Sequence, residues 1–226
     1  MAPPSETPPS VTPPADQPAV PQPMTLAALQ AYVAEAVRAR GFTTDMNEVF
    51  VLLVEELGEL ATEFKHWVYY PERFDRANLA FELADVLLYL LDLANGFGVG
   101  LATLWPEHGT ANDERFAARR GGQPVEAHVQ PDFTLNRLVV HVEDKRRERD
   151  FVDTPERLLF LLTEEIGEVA TELRKRWKGR GEVRAAGLEL IDAVTYVCRL
   201  AGAFGVDLEA AVAEKERQNA RRVWLY

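Results

Sequence analysis

The sequence repeats itself, and this repeat restricts the possible fold more than any other feature of the chain. The stretch VEELGELATEF begins at Val54, and the closely similar stretch TEEIGEVATEL begins 109 residues later, at Thr163. Further along, ELAD at Glu82 corresponds to ELID at Glu189, and an FGV triplet follows each of them in the same register. Because the register holds over most of the chain, we interpret it as two similar units in tandem.

The 226 residues divide into a tail, two repeats and a linker. The first repeat covers about 24–120, the second covers 132–226, and 121–131 is a linker that contains glycine and proline. Residues 1–23 hold nine of the chain's 14 prolines and few large apolar side chains. This composition predicts a disordered, polyproline-like tail without a catalytic role.

The charge of the chain excludes some partners. Its 36 acidic and 25 basic side chains give a net charge of −11, which repels the phosphate backbone of nucleic acids. The longest apolar stretch, 83–94, contains two aspartates and is too short to span a bilayer. Cys198 is the single cysteine, and the N-terminus lacks the basic and apolar regions of a secretory signal. We therefore expect a cytoplasmic protein that binds neither nucleic acid nor membrane.

Helix signals recur in both repeats, and strand patterns are missing from the sequence. Thr25 can cap a helix that Gly41 ends, and two longer helices are predicted over about 45–67 and 75–96. In the second repeat a helix starts after Thr154 and runs to about residue 178. The sequence predicts an all-α fold with four helices in each repeat.

Carboxylates lie where a core helix should be apolar. Leucine and valine surround the predicted helix over 75–96 almost completely, as in a buried helix. Between residues 79 and 93 its polar positions are Glu82, Asp85, Tyr89 and Asp92. An uncompensated buried carboxylate costs several kcal/mol, and no lysine or arginine lies nearby on this helix. A divalent metal between Glu56 and Glu59 on one helix and Glu82 and Asp85 on the next would satisfy all four. Oxygen ligands alone favour Mg²⁺ or Mn²⁺.

The same acids recur in the second repeat. They are Glu165, Glu168, Glu189 and Asp192. A single EExxE is common on solvated helix faces, because glutamate is a good helix former. The recurrence of all four acids, again among apolar neighbours, favours two metal sites over surface decoration.

Each repeat has the motif EExxE, followed some twenty residues later by ExxD. This pattern resembles the signature of the MazG-like, all-α nucleoside triphosphate pyrophosphohydrolases. The resemblance covers both repeats and implies a Mg²⁺-dependent hydrolase of phosphoanhydride bonds. Such an enzyme cleaves an NTP or dNTP between the α and β phosphates to a monophosphate and pyrophosphate, as nucleotide-pool housekeeping. Glu55 and Glu164, one residue before the expected ligands, are the candidate catalytic residues that orient or deprotonate the attacking water. Single-repeat relatives look dimeric, which implies an intramolecular pseudo-dimer here and leaves a homodimer of the whole chain open.

The family also carries phosphate-binding residues on its fourth helix. In the second repeat the matching residues are Lys215, Asn219 and Arg222. In the first repeat the equivalents are His108, Asn112 and Arg115. Pro106 and Gly109 are expected to interrupt the helix that presents this second set. We therefore expect the first repeat to have the weaker site.

Two tryptophans between the acidic motifs are candidates for stacking on a base, Trp67 in the first repeat and Trp177 in the second. The alternative is that both are packing residues near a helix end. The histidines at 66, 108, 128 and 141 are interpreted as surface residues and not as a metal cluster.

Two other functions stay open on the sequence. Di-iron carboxylate proteins need Glu-x-x-His on two helices, and only Glu63 with His66 forms that string here. The second alternative is a regulatory helical module that binds nucleotide and Mg²⁺ without turnover, or a protein in which one repeat is structural.

Overall fold

The computed structural model describes residues 17–119 and 133–221, and these ranges are helical apart from turns and short connections. In chain order the helices are α1 (Leu26–Arg40), α2 (Met46–Tyr69), α3 (Arg76–Phe97), α4 (Leu101–Arg119), α5 (Leu135–Glu148), α6 (Pro155–Trp177), α7 (Val183–Phe204) and α8 (Leu208–Asn219). A 3₁₀ turn, Pro71–Arg73, follows α2. No strand occurs in the described ranges, which confirms the predicted all-α class.

The predicted helix boundaries lie within two residues of the observed ones. Thr25 caps α1 through a hydrogen bond that Ala28 N donates to its Oγ1 over 3.2 Å. Gly41 ends α1 with a left-handed φ of 67°, a conformation that glycine adopts without steric cost. Thr154 caps α6 in the same way as Thr25 caps α1.

The core lies where α3 and α7 pack against each other. Each of these two helices also packs against the helix before it, α2 on α3 and α6 on α7. The leucines that point inward from α3, among them Leu79, Leu83 and Leu87, are inaccessible to solvent. Each fully buried leucine contributes about 1.5–3 kcal/mol relative to an exposed one, so this packing fixes the helices that carry the acids.

The two repeats also meet at the starts of their first helices. Thr25 and Thr134 form an isolated antiparallel bridge. Leu26 N donates to the carbonyl of Phe133 over 3.2 Å, and Leu135 N donates to the carbonyl of Met24 over 3.0 Å. These two backbone hydrogen bonds join equivalent positions of the two halves.

The fourth helix of each repeat lies against the other repeat. Helix α8 packs against α3, and α4 packs against α7. The axis turns by 99° between α3 and α4, across the short connection 98–100. Helix α4 therefore does not continue the direction of α3, and it contacts α7 as well as α1.

The prediction that Pro106 and Gly109 interrupt the fourth helix of the first repeat is wrong. Helix α4 is continuous from Leu101 to Arg119, with Pro106 inside it. A proline within a helix lacks the amide hydrogen that would bond to the carbonyl four residues earlier, here Ala102. The loss is confined to the first turns of α4, and the helix continues beyond them.

Part of the predicted disordered tail is packed. Gln17 Oε1 accepts a hydrogen bond from Arg40 Nε over 2.8 Å, and Val20 packs against the hydrophobic core. Residues 17–23 therefore lie on the helical body, held by one apolar side chain and one hydrogen bond that composition alone does not reveal. Residues 1–16 of the predicted tail, the predicted linker 121–131 and Arg222 lie outside the described residues.

No single helix in the described ranges is both long and apolar enough to cross a membrane. The helices Arg76–Phe97 and Leu101–Phe116 reach the required length and hydropathy only as a pair bent by 99°.

Candidate functional site

Helices α2 and α3 bring the acids of the first repeat together. Carboxylate oxygens of Glu56, Glu59 and Glu82 lie within 4.8 Å of one another. The spacing of three between Glu56 and Glu59 puts both on one face of α2. Asp85 follows Glu82 by one turn of α3 and forms an ion pair with Lys215 Nζ. We call these four acids the first acidic cluster.

The first acidic cluster has too little positive charge near it to compensate its carboxylates, and their pKa values are raised as a result. Burial, together with repulsion from Asp85 and Glu59, raises the pKa of Glu56 to about 8. Burial also raises the pKa of Glu82 to about 7, although Lys215 opposes the shift. Glu82 Oε2 is buried and has no hydrogen-bond partner among the described residues. A divalent cation would supply the missing partner, so the donor set fits Mg²⁺ or Mn²⁺.

Helices α6 and α7 build a second acidic cluster from Glu165, Glu189 and Asp192, whose oxygens also lie within 4.8 Å of one another. Burial, with repulsion from Asp192, raises the pKa of Glu165 to about 7. Glu168 is exposed and outside this trio, and its charge contributes to the raised pKa of Glu189. The sequence therefore predicted the members of both clusters, with Glu168 at the edge of the second.

The structure corrects which fourth helix serves which cluster. The sequence assigned Lys215 and Asn219 to the second repeat's own site, but both line a cavity at the first acidic cluster. His108 of α4 corresponds in sequence to Lys215 of α8. It lies at the second cluster, where its Nε2 is 3.1 Å from Asp192 Oδ1. Asn112 also lines that second cavity. The reason is that α4 and α8 each cross to the other repeat.

Each acidic cluster opens into its own cavity, of about 370 Å³ in the first case and about 300 Å³ in the second. Glu55 is exposed and lines the first cavity. Glu164 is exposed beside Glu165 but is not among the residues that line the second. Arg115 is exposed and lines the second cavity, so it lies at the second cluster and not at the first repeat's own site, where the sequence placed it.

The two candidate stacking tryptophans lie away from both cavities. Trp67 packs edge-on against Phe64 and Phe204, with ring centroids 6.2 Å and 5.2 Å apart. Trp177 is exposed, and its Nε1 donates a hydrogen bond to Asn47 Oδ1 over 2.7 Å. The contacts of Trp67 are those of the packing residue that the sequence left as the alternative, whereas Trp177 is exposed.

The interpretation of the histidines as surface residues is wrong for the three described ones, since His66, His108 and His141 are all half-buried, and His128 lies outside the described residues. His108 contacts Asp192, and the half-buried His141 lines the second cavity. Neither acidic cluster in the described ranges contains a histidine. His66 contacts Glu63, at 3.5 Å from Nδ1 to Oε1, apart from both clusters, so the geometry does not favour a di-iron centre.

Sequence reasoning missed a buried ionic network that holds α8 against α1. Arg40 Nη2 lies 2.7 Å from Glu216 Oε2, and the hydroxyl of Tyr32 donates to the same oxygen. Asn219 Nδ2 donates to Glu216 Oε1 over 2.9 Å, so the network also orients a residue of the first cavity. The partners are distant in sequence, and periodicity within one helix cannot pair them.

A similar but not identical network holds α4 against α5. Asp113 accepts hydrogen bonds from Lys145 Nζ over 3.1 Å and from Arg149 Nη2 over 2.7 Å. Arg149 follows Arg40 by 109 residues, the offset of the repeat, so the sequence could have indicated that the two arginines have similar roles. Their acidic partners do not occupy equivalent positions, which hid the relationship.

Two further buried carboxylates lie one helical turn beyond the acids on α2 and α6. Glu63 follows Glu59 by four residues, and Glu172 follows Glu168 by four. Both side chains are buried, and each has an Oε2 without a hydrogen-bond partner among the described residues. The charge of Glu63 helps to raise the pKa of Glu82. The extended pattern EExxExxxE was visible in both repeats.

The described ranges define an all-α protein with two carboxylate clusters that could hold metal ions. No family model, curated protein or solved structure matches the chain. The features that bear on function are therefore the geometry of the two clusters and the residues that the crossed helices bring to them.

Proposed function

We propose that this protein is a Mg²⁺-dependent nucleoside triphosphate pyrophosphohydrolase made of two MazG-like repeats that pack as an intramolecular pseudo-dimer. The observation that supports it best is the meeting of Glu56, Glu59, Glu82 and Asp85 with Lys215 beside a cavity. Metal ligands next to a phosphate-binding cation are what hydrolysis of a triphosphate requires. The crossed packing of α4 and α8 supports the pseudo-dimer.

Glu56, Glu59 and Glu82 would hold the metal, with Asp85 completing the set. The chemistry that Mg²⁺ supplies when bound is neutralisation of the triphosphate charge and activation of a water molecule. The chain's contribution is to hold these oxygens within 4.8 Å of one another on two helices fixed by the core. The carboxylates are therefore held close together before substrate enters.

Lys215 and Asn219 would contact the phosphates. The ammonium of Lys215 lies at Asp85 and can move to a phosphate oxygen as a charged hydrogen-bond donor. Asn219 lines the same cavity, and Glu216 accepts a hydrogen bond from its amide. Glu55, exposed at the cavity edge, is the candidate base that takes the proton from the attacking water.

The second acidic cluster would form the weaker site. At the place of Lys215 it has His108, which contacts Asp192 and carries a full positive charge only when protonated. Glu164 does not line the second cavity as Glu55 lines the first. Lys215 and Glu55 therefore both lie at the first cluster. The sequence had led us to expect the weaker site in the first repeat, and the proposal places it in the second.

The experiment is a measurement of pyrophosphate release with Mg²⁺ from a panel of NTPs and dNTPs, with the monophosphate and diphosphate products separated. We expect a monophosphate and pyrophosphate as products. Glu56→Gln in combination with Glu165→Gln should abolish turnover while the helical circular dichroism is kept. A matched control is Glu35→Gln, which removes one charge from the exposed face of α1 and should leave turnover unchanged.

The result that would overturn the proposal is absence of pyrophosphate release from every member of the panel. If nucleotide and Mg²⁺ then still raised the melting temperature, the protein would be the non-catalytic binding module. Diphosphate as the product would assign cleavage to the β–γ bond and exclude the MazG-like reaction.

A further inference from the structure

The first cavity extends beyond the acidic cluster between α1 and α3. Apolar side chains of its wall are Val33, Ala36 and Val37 on α1 and Leu88 on α3, while Tyr32 and Arg40 of α1 line it beside Glu216. The four apolar side chains give the cavity an apolar part beside the acids, Lys215 and Asn219. A pocket with one ionic and one apolar part suits a molecule with a charged group and a flat, weakly polar ring system.

Asp92 is the polar exception on the apolar part. It follows Asp85 by seven residues, two turns of α3, which places it on the same face and about 10 Å further along the helix. Its carboxylate lines the cavity and makes no hydrogen bond or ion pair with any described residue. Both of its oxygens are therefore available to a ligand.

The surroundings make this acceptor strong. Burial alone raises the pKa of Asp92 to about 6, so the carboxylate is mostly ionised at pH 7 without a cation beside it. A half-buried charge without a partner is costly, and the structure keeps it at the wall of a cavity. A ligand with N–H donors would satisfy it.

The second cavity provides an internal comparison. The positions that correspond to Ala36, Val37, Leu88 and Asp92 hold Lys145, Arg146, Thr195 and Arg199, and all four line the second cavity. Arg199 is paired there with Asp153, over 2.6 Å. The same backbone thus accepts an arginine at this position, so the fold itself does not require an acid. The apolar wall with a carboxylate is specific to the first cavity.

We propose that the apolar part of the first cavity is a nucleobase subsite, in which Asp92 accepts two hydrogen bonds from adjacent N–H donors of a guanine-type base. This inference rests on the proposed function, because it takes the molecule in the cavity to be a nucleotide. Asp92 then determines base specificity and takes no part in phosphate chemistry.

The donor pattern selects the base. Two carboxylate oxygens accept two parallel N–H donors, as in carboxylate pairs with arginine. Guanine offers such a pair in N1–H and the 2-amino group. Adenine and cytosine place an acceptor nitrogen beside their amino group, and uracil places carbonyl oxygens on both sides of its N–H. Hypoxanthine keeps N1–H but lacks the 2-amino group, so it isolates one of the two hydrogen bonds.

The test compares the binding of GMP and IMP to the full chain by calorimetry in the presence of Mg²⁺. We expect GMP to bind about tenfold or more tightly than IMP, the effect of one hydrogen bond to a charged group. Asp92→Asn, which replaces one acceptor by a donor, should bring the two affinities to within about twofold. Glu35→Gln removes a charge on the exposed face of α1 and should keep the preference.

The same variants are then compared in turnover of GTP and ITP, in the wild-type chain and in a Glu165→Gln background that leaves the first cluster intact. The effect of Asp92→Asn should fall on KM more than on kcat. Equal binding of GMP and IMP by the wild type, binding of neither, or an unchanged preference in Asp92→Asn would overturn the subsite. A preference for GMP without any triphosphate cleavage would support the subsite and reject the hydrolase. Triphosphate cleavage without a base preference would support the hydrolase and reject the subsite.

Discussion

Lys215 Nζ forms an ion pair with Asp85 Oδ2, although the two residues belong to different repeats. The contact exists because α8 packs against α3, and α4 correspondingly packs against α7. Each cavity is therefore built from acids of one repeat and from the fourth helix of the other. This arrangement makes the two halves of the chain mutually dependent.

The first prediction concerns Lys215 itself. Lys215→Ala removes a charged donor from the first cavity, and we expect kcat/KM to fall about tenfold to a hundredfold in a background where Glu165→Gln silences the second cluster. The matched control is Arg217→Ala, which removes a cation from the exposed face of the same helix. Equal activity of the two variants in steady-state assays would show that Lys215 does not contact substrate.

The second prediction tests the crossed arrangement through the same variant. Because Lys215 serves the acids of the first repeat, Lys215→Ala should have its full effect in the Glu165→Gln background. In a Glu56→Gln background, where the first cluster is already inactive, we expect a further change of less than about twofold. The measurement is kcat/KM for two double-mutant cycles. Each compares the wild type, Lys215→Ala, one glutamate variant and their combination. The opposite pattern would assign Lys215 to the second cluster.

The acidic clusters could be predicted from the sequence because the residues within each motif lie on one helix. Spacings of three put Glu56 with Glu59, and Glu82 with Asp85, on single helix faces, and helix geometry determines this locally. The repeat then showed that the pattern was not accidental. All the predicted acids lie at or beside a cluster, since adjacent helices in sequence are usually adjacent in space.

The partner of each cluster could not be predicted, because it depends on the direction in which a short connection sends the next helix. The turn of 99° between α3 and α4 arises over residues 98–100, and nothing in those residues states which half α4 will contact. The network of Tyr32, Arg40 and Glu216 was hidden for a related reason. It forms only after α8 has crossed to α1, so no local pattern records it.

The third prediction concerns stability in the absence of metal. In the folded protein the pKa of Glu56 is raised to about 8 and that of Glu165 to about 7, from an ordinary value of 4.5. The folded state therefore binds more protons than the unfolded state between about pH 5 and 8, so stability should fall as the pH rises through that window. Melting temperatures measured in EDTA should decrease across it.

Addition of Mg²⁺ should reverse most of this loss, because the cation compensates the ionised carboxylates. Glu56→Gln combined with Glu165→Gln should reduce the pH dependence in EDTA and weaken the response to Mg²⁺. The control is Glu35→Gln, which leaves both clusters intact. A melting temperature that rises with pH in EDTA would contradict the assignment of these groups.

The fourth prediction concerns Cys198. The thiol is inaccessible to solvent within α7, and burial raises its pKa to about 12. Since the thiolate is the reactive species, a thiol reagent at pH 8 should label less than about a tenth of the native protein in an hour. One thiol per chain should react at once in denaturant. Rapid labelling of the native protein would show that α7 opens locally.

The last prediction concerns Glu216, which Arg40 and Tyr32 contact inside the interface between α8 and α1. Glu216→Ala leaves the buried guanidinium without its carboxylate, and removal of one partner of a buried ion pair costs about 3–5 kcal/mol. The control is Glu214→Ala on the same helix, which loses only an ion pair with the exposed Arg217 and should change stability much less. Urea unfolding followed by circular dichroism measures both changes. Because Glu216 also orients Asn219, Glu216→Ala should raise KM for the triphosphate at temperatures where the variant is still folded. A loss of stability no larger than that of Glu214→Ala would show that Arg40 finds another partner and that the network does not hold α8 in place.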